Sequence, residues 1–494
     1  MCGEFAVTRP MVVFAASVLV TVLAWRAGAP WLVAGLCLAC QAILLARRVV
    51  LWPLVAAALG GLLAWGACLG VPPWPDPQPG RGEVVLRVDR FPDPPGEGRR
   101  ALEGRVVVPG ALAALSGRRV RVDVPGWSGP FRVGDLLRVD ASWRPVTTEL
   151  FLARGLRYRA SSSRPPLVVG AATGAWSSVE RTLQATRDAL VAGVARAAGD
   201  GAPLVASLVL GVRGDVSRDD LDVLADTGVI HLFAISGGQL ALFGGLLFLF
   251  VRALASLWRP LRLRLLDRKL GAVLALLAAL GFALLSGSNV STLRSLWMMA
   301  LYFGSVMVDR EADGVTFLAV ALSVLVLWSP TSLFDPSLQL SAVGVVALFV
   351  AGRSPARGLV AKAFVASWWA FVLTAPIGFA WFDRAALATP LANVVVVPLF
   401  SALVMPLAFA VVFVAPLWPA AAALLAWPLT GVLDATFAGL RVLAAWVPAP
   451  DTGLGFAASF VPLALVGSWA LLTWEQRQRR RRALLEGLTA PSPA

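Results

Sequence analysis

The chain has 494 residues, of which 58% are hydrophobic and only 15% are charged, and its formal net charge is +14. A soluble protein of average composition carries about 25% charged residues, so this composition excludes an ordinary soluble class. Apolar runs of about 20 residues recur, and each is long enough to cross a bilayer as a helix. The sequence therefore predicts a polytopic α-helical membrane protein with about 12 spans.

The N-terminal part, residues 1–77, contains three apolar runs and is predicted to be a three-helix membrane anchor. The first run follows Arg9 and has the length of a signal peptide, but two further runs follow it directly. Cys37 and Cys40 lie one helical turn apart in the second run, and no second pair or histidine follows that would complete a zinc site. We therefore expect packed apolar side chains there and no metal.

The character of the chain changes over residues 78–166, which are predicted to form an OB-like (oligonucleotide-binding) β domain. A linker rich in proline and glycine leads into five short segments in which apolar and polar residues alternate. A period of two predicts strands with one buried face, and five short strands suit a small closed barrel of the OB type. The predicted strands are residues 83–90, 101–108, 118–126, 135–143 and 155–162.

This predicted barrel is strongly basic. Residues 81–166 hold 16 arginines and nine acidic residues, so their net charge of +7 is half that of the chain. Arginine on an OB-like surface favours a phosphate backbone as ligand, and a merely solvated basic surface is the alternative. The DNA-binding candidates in this domain are Arg118, Arg119, Arg121, Arg132 and Arg138.

The next stretch, residues 167–229, is predicted to form amphipathic helices at the membrane interface. Ser217 with the acidic residues that follow it predicts a capped helix. A second membrane block, residues 230–474, is predicted to be the channel domain and is followed by a basic tail, residues 475–494. Its nine predicted spans are residues 230–257, 270–287, 294–308, 315–329, 338–352, 363–381, 391–414, 418–447 and 457–474.

Loop charges orient these spans. Arginine and lysine cluster after predicted spans two, four, eight and twelve. The positive-inside rule assigns all four clusters to the cytoplasm, and alternation through twelve spans satisfies all four at once. Both termini are therefore expected in the cytoplasm and the barrel outside. Pro390, Pro398 and Pro428 predict breaks in the later helices, with residues 418–447 divided into a half-helix and a span.

Polar groups recur at membrane depth in the second block. The stretch GVIHLFAISGGQL, residues 228–240, holds the single histidine of the chain. Polar residues there are costly unless they face protein or a water-filled path, and a Ser-Gly-Gly notch lets another backbone approach. Ordinary helix packing is the alternative. Three later notches on the predicted outer face carry Ser291 and Arg294, then Asp335, Gln339 and Ser341, then Asp383, Arg384 and Asn393.

In this order the notches resemble the competence DNA-uptake channel (ComEC-type) family. Gly211 and Arg213, followed by Gly228 and the string His-Leu-Phe-Ala-Ile-Ser-Gly at 231–237, are similar to its Gly-x-Arg and Gly-x-x-His-Leu-x-Ala-Ile-Ser-Gly-x-His pattern. The later notches are similar to its Ser-x-x-Arg, Asp-Pro-x-Phe-Gln-Leu-Ser and Ala-Asn motifs. The resemblance implies these channel or DNA-path residues: Arg213, His231, Ser236, Gly237, Gln239, Ser291, Arg294, Asp335, Gln339, Ser341 and Asn393.

The resemblance also implies the function and the partners. The expected function is conduction of single-stranded DNA through the bacterial cytoplasmic (inner) membrane during natural transformation. The expected partners are single-stranded DNA and the bilayer, with a separate DNA receptor, nuclease and cytoplasmic ATPase as further candidates.

This sequence departs from the family pattern in three ways. Gln239 stands where the family has a second histidine, so a titrating group is not expected there, and Val290 stands where it has a proline. Many relatives carry a metallo-β-lactamase-like nuclease domain at the C-terminus, whereas this sequence closes with a basic tail. One histidine cannot supply the metal ligands of such a nuclease, so we expect no enzymatic activity and no cofactor.

Two other functions remain open from the sequence. One is a secondary transporter of a small anion, with Asp335, Asp434 or His231 as proton carriers; the lack of a visible inverted repeat weakens it. The other is an inactive membrane scaffold for a DNA-uptake machine.

Overall fold

The computed structural model describes Ala15, Val18, Leu19 and Val22 and the residues 80–89, 99–110, 112–125, 131–146, 156–212, 215–233, 237–257, 266–287, 290–309, 314–382, 386–448 and 453–489. The predicted three-helix anchor therefore lies outside the described residues except at those four positions. Arg213, Ser236, Asp383 and Arg384 also lie outside them.

Six strands form one sheet: β1 (Arg81–Val88), β2 (Arg99–Val108), β3 (Arg119–Pro125), β4 (Asp135–Pro145), β5 (Leu156–Ser161) and β6 (Leu167–Ala171). Five of them close into a barrel in the order β1, β2, β3, β5, β4, because β4 also pairs with β1. The β3–β5 pair is parallel and the other pairs are antiparallel. The predicted five-stranded barrel is confirmed, and β6 is an additional strand on the outer edge of β4.

The barrel core follows from the alternation in its strands. Along β3 the residues alternate between buried and half-buried, with Val120, Val122 and Val124 pointing inward. Each such apolar side chain contributes about 1.5–3 kcal/mol when fully buried. Trp143 is buried among them, and its Nε1 donates a hydrogen bond to the carbonyl oxygen of Gly82 at 3.0 Å. A half-buried alternating pattern thus produces a closed core with its polar atoms satisfied.

Helix α1 (Ala175–Ala198) follows the barrel and lies within the stretch predicted to form amphipathic helices. Its polar face packs on the barrel: Gln184 Oε1 accepts from the backbone N–H of Val133 at 2.6 Å, and Gln184 Nε2 donates to the carbonyl of Phe131 at 3.1 Å. Glu180 pairs with Arg87 at 2.7 Å. These contacts anchor the helix to the barrel.

Two short helices follow, α2 (Ala202–Leu210) and α3 (Arg218–Asp226). The predicted cap of α3 is confirmed, since Ser217 Oγ accepts from the backbone N–H of Asp220 at 3.1 Å. The stretch Ala175–Leu210 is long and apolar enough to cross a membrane, where the sequence predicted interfacial helices.

Helices occupy every predicted run of the second block. They are α4 (Gly237–Ser256), α5 (Leu266–Leu285), α6 (Val290–Met307), α7 (Gly314–Trp328), α8 (Pro336–Ala351), α9 (Leu359–Phe382), α10 (Thr389–Leu399), α11 (Met405–Val414), α12 (Pro419–Trp446) and α13 (Gly453–Thr489). Within the described part of the chain, six helical stretches have the length and apolar composition of membrane spans. Large apolar side chains such as Phe250 and Leu424 stay exposed on them, as lipid-facing residues do. The chain is a multi-pass membrane protein.

The breaks predicted at the prolines were wrong in two places. Pro428 lies inside α12, which continues through it to Trp446, because one proline removes a single backbone hydrogen bond and packed neighbours keep the helix intact. Pro398 does not end its helix either. It is followed by a π-helical turn, Phe400–Val404, that joins α10 to α11. Pro390 lies in the first turn of α10, where proline is favourable.

The described residues divide into two compact units. The first comprises Met1–Gly193, Val209–Asp215 and Ile235–Leu338, and the second comprises Val194–Leu208, Val216–Ala234 and Gln339–Ala494. Within the first unit α4 packs on α5, with the rings of Phe243 and Phe282 stacked at 5.1 Å. Within the second unit α9 packs on α13, with Phe371 and Phe460 in edge contact at 5.4 Å.

Candidate functional site

The notch residues of α4 and α6 meet in the first unit. Gly237 is the first residue of α4 and is buried. A Cβ at this position would collide with Ser295 Oγ and lie 2.8 Å from Arg294 Nη2. A larger residue would force these side chains to move. Two motifs that are far apart in the sequence therefore form one junction, which we call the Gly237 junction (Gly237, Arg294 and Ser295).

Arg294 is the charged member of this junction and is only 4% exposed. Its Nη2 donates to Ser295 Oγ at 3.1 Å, and its Nη1 lies 4.0 Å from Met298 Sδ. A buried guanidinium in an apolar helix is costly and marks a functional position. It lies against the start of α4, where the helix carries partial positive charge. Both groups attract an anion.

Other predicted path residues have clear local partners. Asp335 is 2% exposed, and its Oδ1 accepts from the backbone N–H of Ser337 at 2.8 Å, so it caps α8 ahead of Pro336. In the second unit, Gln339 Oε1 accepts from Trp381 Nε1 at 2.9 Å. Gln239 is buried in α4, Ser341 is half-buried in α8, and Ser291 lies in the first turn of α6.

His231 lies in a 3₁₀ turn, Ile230–Leu232, and not in the membrane helix that was predicted to begin at residue 230. The helix begins later, at Gly237. The imidazole is exposed, and its Nδ1 lies 2.9 Å from the carbonyl oxygen of Gly228. Because a carbonyl oxygen can only accept, Nδ1 carries the proton in this contact, and Nε2 of the neutral ring is left as an acceptor. Gly228 has a φ of +75°, and a Cβ there would collide with Thr389 of α10.

Asn393 lies in the second turn of α10 and is 9% exposed. Its Oδ1 has no hydrogen-bond partner among the described residues. A buried amide oxygen without a donor costs about 1–3 kcal/mol, so this position offers an acceptor to a ligand or a water molecule.

Arg441 of α12 is a charged residue that the sequence interpretation missed. Its Nη2 lies 2.7 Å from Asp220 Oδ1 of α3, and its guanidinium lies 5.9 Å from the centroid of the Phe437 ring. The ring of Phe437 is in edge contact with Phe233 at 5.7 Å. The signal that could have identified it is the presence of an ionisable residue inside the apolar run 418–447.

The barrel gathers arginines by strand register. Arg87, Arg105 and Arg119 are paired neighbours across β1, β2 and β3. A second row, across β3, β5 and β4, consists of Arg121, Arg159 and Arg144. We call the two sets together the arginine rows. All six point away from the buried core, because the residues next to them in each strand point inward.

Acidic side chains lie between these arginines. Glu103 approaches Arg119 at 3.8 Å and Arg121 at 4.0 Å. Asp123 approaches Arg159 at 2.6 Å. The Glu103 and Asp123 side chains are only 12% and 16% exposed, and Asp123 accepts from both Nε and Nη2 of Arg159. These carboxylates therefore partly neutralise the arginine rows.

Of the five predicted barrel candidates, Arg119 and Arg121 belong to the arginine rows. Arg118 precedes β3 and is half-buried, Arg132 is exposed in the loop before β4, and Arg138 pairs with Glu83 at 3.1 Å. The other row members were missed because the sequence of one strand does not show which residues of the neighbouring strands it pairs with. They are Arg87, Arg105, Arg144 and Arg159.

Asp89 follows β1 beside the first row. Burial raises the pKa of its carboxyl above the usual value, while Arg119, Arg105 and Arg87 act in the opposite direction. The pKa stays raised because the loss of hydration outweighs the three cations.

Among known proteins, the chain matches the model of the competence protein family over residues 208–479, which is more than half of its length. The ComE operon protein 3 of Bacillus subtilis (strain 168) is 28% identical to the chain over 143 residues. That similarity covers 29% of this chain and 17% of the length of the Bacillus protein. No solved structure matches the chain.

Proposed function

Because the chain belongs to the competence protein family, we propose that it conducts single-stranded DNA across the bacterial inner membrane into the cytoplasm during natural transformation. The observation that carries this proposal is the Gly237 junction. It places a buried arginine against the positive end of a helix inside an apolar block. A phosphate chain is the anion that fits a competence protein, and these groups attract it as it crosses a region that otherwise repels charge.

The remaining path residues take supporting roles in this proposal. Asn393 offers an unsatisfied amide, and the exposed turn at His231 offers an acceptor nitrogen. Arg213, Ser236, Gln239, Ser291, Gln339 and Ser341 stay predicted path residues, and so does Asp335, whose carboxylate also caps α8.

In the same proposal, the barrel recruits the DNA to the outer face of the membrane. The arginine rows are a cationic surface on a closed barrel, and each phosphate that they neutralise releases counterions from the DNA. We place this barrel outside the membrane and both termini in the cytoplasm, because the positive-inside rule then accounts for the four basic clusters that follow predicted spans two, four, eight and twelve.

The deciding experiment is complementation of a deletion strain with Arg294→Ala, measuring labelled DNA bound outside and labelled DNA internalised as separate quantities. We expect external binding to persist while internalisation falls at least about tenfold, since losing a charge-assisted contact of about 1.5–3 kcal/mol corresponds to that factor. The matched control is Arg353→Ala, at an exposed arginine that follows α8. Unchanged internalisation at equal protein level would contradict the proposal.

Variants of the arginine rows, expressed in the same deletion strain, separate this function from transport of a small anion. A channel fed by the barrel loses DNA uptake when the arginine rows are neutralised, whereas a small-solute transporter keeps its flux. Substitution is a cleaner test than removing residues 81–166, because β6 pairs with β4 and would be left without its neighbour.

A further inference from the structure

The turn that carries His231 is held from two sides within the second unit. On one side, Gly228 packs against Thr389 at the start of α10. On the other side, the chain continues from the turn into Phe233, whose ring contacts Phe400 and Phe437, each at 5.7 Å. Phe233 is 1% exposed. The position of the turn therefore depends on what holds Phe437.

Phe437 is covered by Arg441, which lies one turn further along α12 at 5.9 Å from the ring centroid. Arg441 is held in turn by Asp220, at 2.7 Å. The Asp220 side chain is 19% exposed and that of Arg441 is 55% exposed, so the pair lies at the edge of the packed region. Asp220 also lies in the capped first turn of α3, the helix that leads into the His231 turn.

We propose that Arg441 is a positioning residue that fixes the His231 turn through Asp220 and Phe437. The set Asp220, Phe233, Phe437 and Arg441 is called the Arg441 clamp below. The ion pair ties α3, which precedes the turn, to α12, and the cation–π contact holds the ring against which Phe233 packs. The significance of this position for DNA conduction rests on the proposed function, whereas the position of the turn itself does not.

The turn can be monitored without measuring DNA. Ile230 is 38% exposed in the turn, and the four native cysteines are replaced by serine so that Ile230→Cys supplies the single thiol. The rate of maleimide labelling of the detergent-solubilised full-length chain then reports how well the turn is held. Arg441→Gln and Asp220→Asn are each expected to raise this rate about two- to fivefold, as expected for one exposed pair. Arg441→Lys, which keeps the charge, stays close to the parent rate.

A double-mutant cycle makes the test specific. If the two side chains act as one pair, the double variant labels no faster than either single variant. The matched control is Asp219→Asn, which removes an exposed acidic group from the same turn of α3 but leaves the pair intact. It is expected to leave the labelling rate unchanged. If Arg441→Gln does not accumulate, Asp220→Asn breaks the same pair from the other side.

Two results would overturn the clamp: labelling rates that do not change in either single variant, or effects of the two substitutions that simply add. Faster labelling together with normal DNA uptake supports the clamp and counts against a role of the turn in the DNA path. Lost DNA uptake with unchanged labelling overturns the clamp and leaves the proposed function in place.

Discussion

The barrel and the second membrane block carry arginine in opposite ways. The barrel displays six arginines in two surface rows, interleaved with Glu103 and Asp123. The membrane block buries Arg294 against Gly237, where an added Cβ would collide with Ser295 Oγ. Surface charge in water is redundant and sensitive to salt, whereas a buried guanidinium is neither. In the proposed function, the exposed rows therefore serve recruitment and the buried arginine makes a single required contact.

The largest effect is expected from Gly237→Ala, which disturbs the surroundings of the buried Arg294. The added methyl group collides with Ser295 and Arg294, and overpacking of this kind costs about 1–3 kcal/mol. We expect the melting temperature of the detergent-solubilised protein to fall and DNA internalisation to be nearly lost.

Gly245→Ala is the matched control, because it lies in the same helix and a Cβ there meets nothing within 4 Å. Alanine is favoured over glycine inside a helix by about 1 kcal/mol, so this variant should be at least as stable as the parent. An equal loss in both variants would mean that the close approach at Gly237 is not the cause.

An intermediate effect is expected from the arginine rows. Neutralising one member, as in Arg159→Gln, should weaken binding of single-stranded DNA by the full-length chain only a few-fold. Neutralising the five members other than Arg87, whose ion pair with Glu180 anchors α1, should abolish it. Each lost phosphate contact reduces the slope of log affinity against log salt by about 0.7. Fluorescence anisotropy at several salt concentrations measures both quantities.

The control for the rows is Arg164→Gln, an exposed arginine between β5 and β6 that belongs to neither row. If it changes affinity and slope as much as Arg159→Gln, the barrel binds through its overall charge and the rows have no special role.

The smallest effect is expected from Asp89→Asn. Burial raises the pKa of Asp89 in the folded barrel above its value in the unfolded chain, so the ionised carboxylate opposes folding at neutral pH. This penalty disappears as the pH falls through the folded-state pKa. Asp89→Asn should therefore slow hydrogen exchange of the β1 amides at pH 7, because it raises their opening free energy by less than about 1 kcal/mol. This stabilisation should become smaller as the pH falls. Faster exchange in the variant would instead show that the neighbouring arginines stabilise the carboxylate.

Much of the local structure could be predicted from the sequence. All five barrel strands lie within a few residues of the predicted bounds, because their valines and leucines alternate with polar residues. The strand β6 was missed because Leu167, Val168 and Val169 are all exposed and show no alternation. The continuity of α12 through Pro428 was missed because packing against neighbours is not visible in the run itself.

The candidate site was only partly predictable. The Ser-Gly-Gly and Ser-x-x-Arg notches were identified as important, but their contact at the Gly237 junction was not. The Arg441–Asp220 pair joins residues 221 positions apart, and nothing in either local stretch indicates the other. The barrel arginines were recognised by their number, whereas their arrangement in rows depends on the register of four separate strand pairs.

By itself the sequence determined that this is a multi-pass membrane protein with a basic five-stranded barrel and a capped helix ahead of its second block. Those features depend on hydrophobicity and period, which are properties of neighbouring residues. Only the tertiary structure decided which arginines stand side by side, why residue 237 must be glycine, and which charges hold the His231 turn. Such features arise where chain segments distant in sequence come within a few ångströms, and their geometry is set by packing and register together.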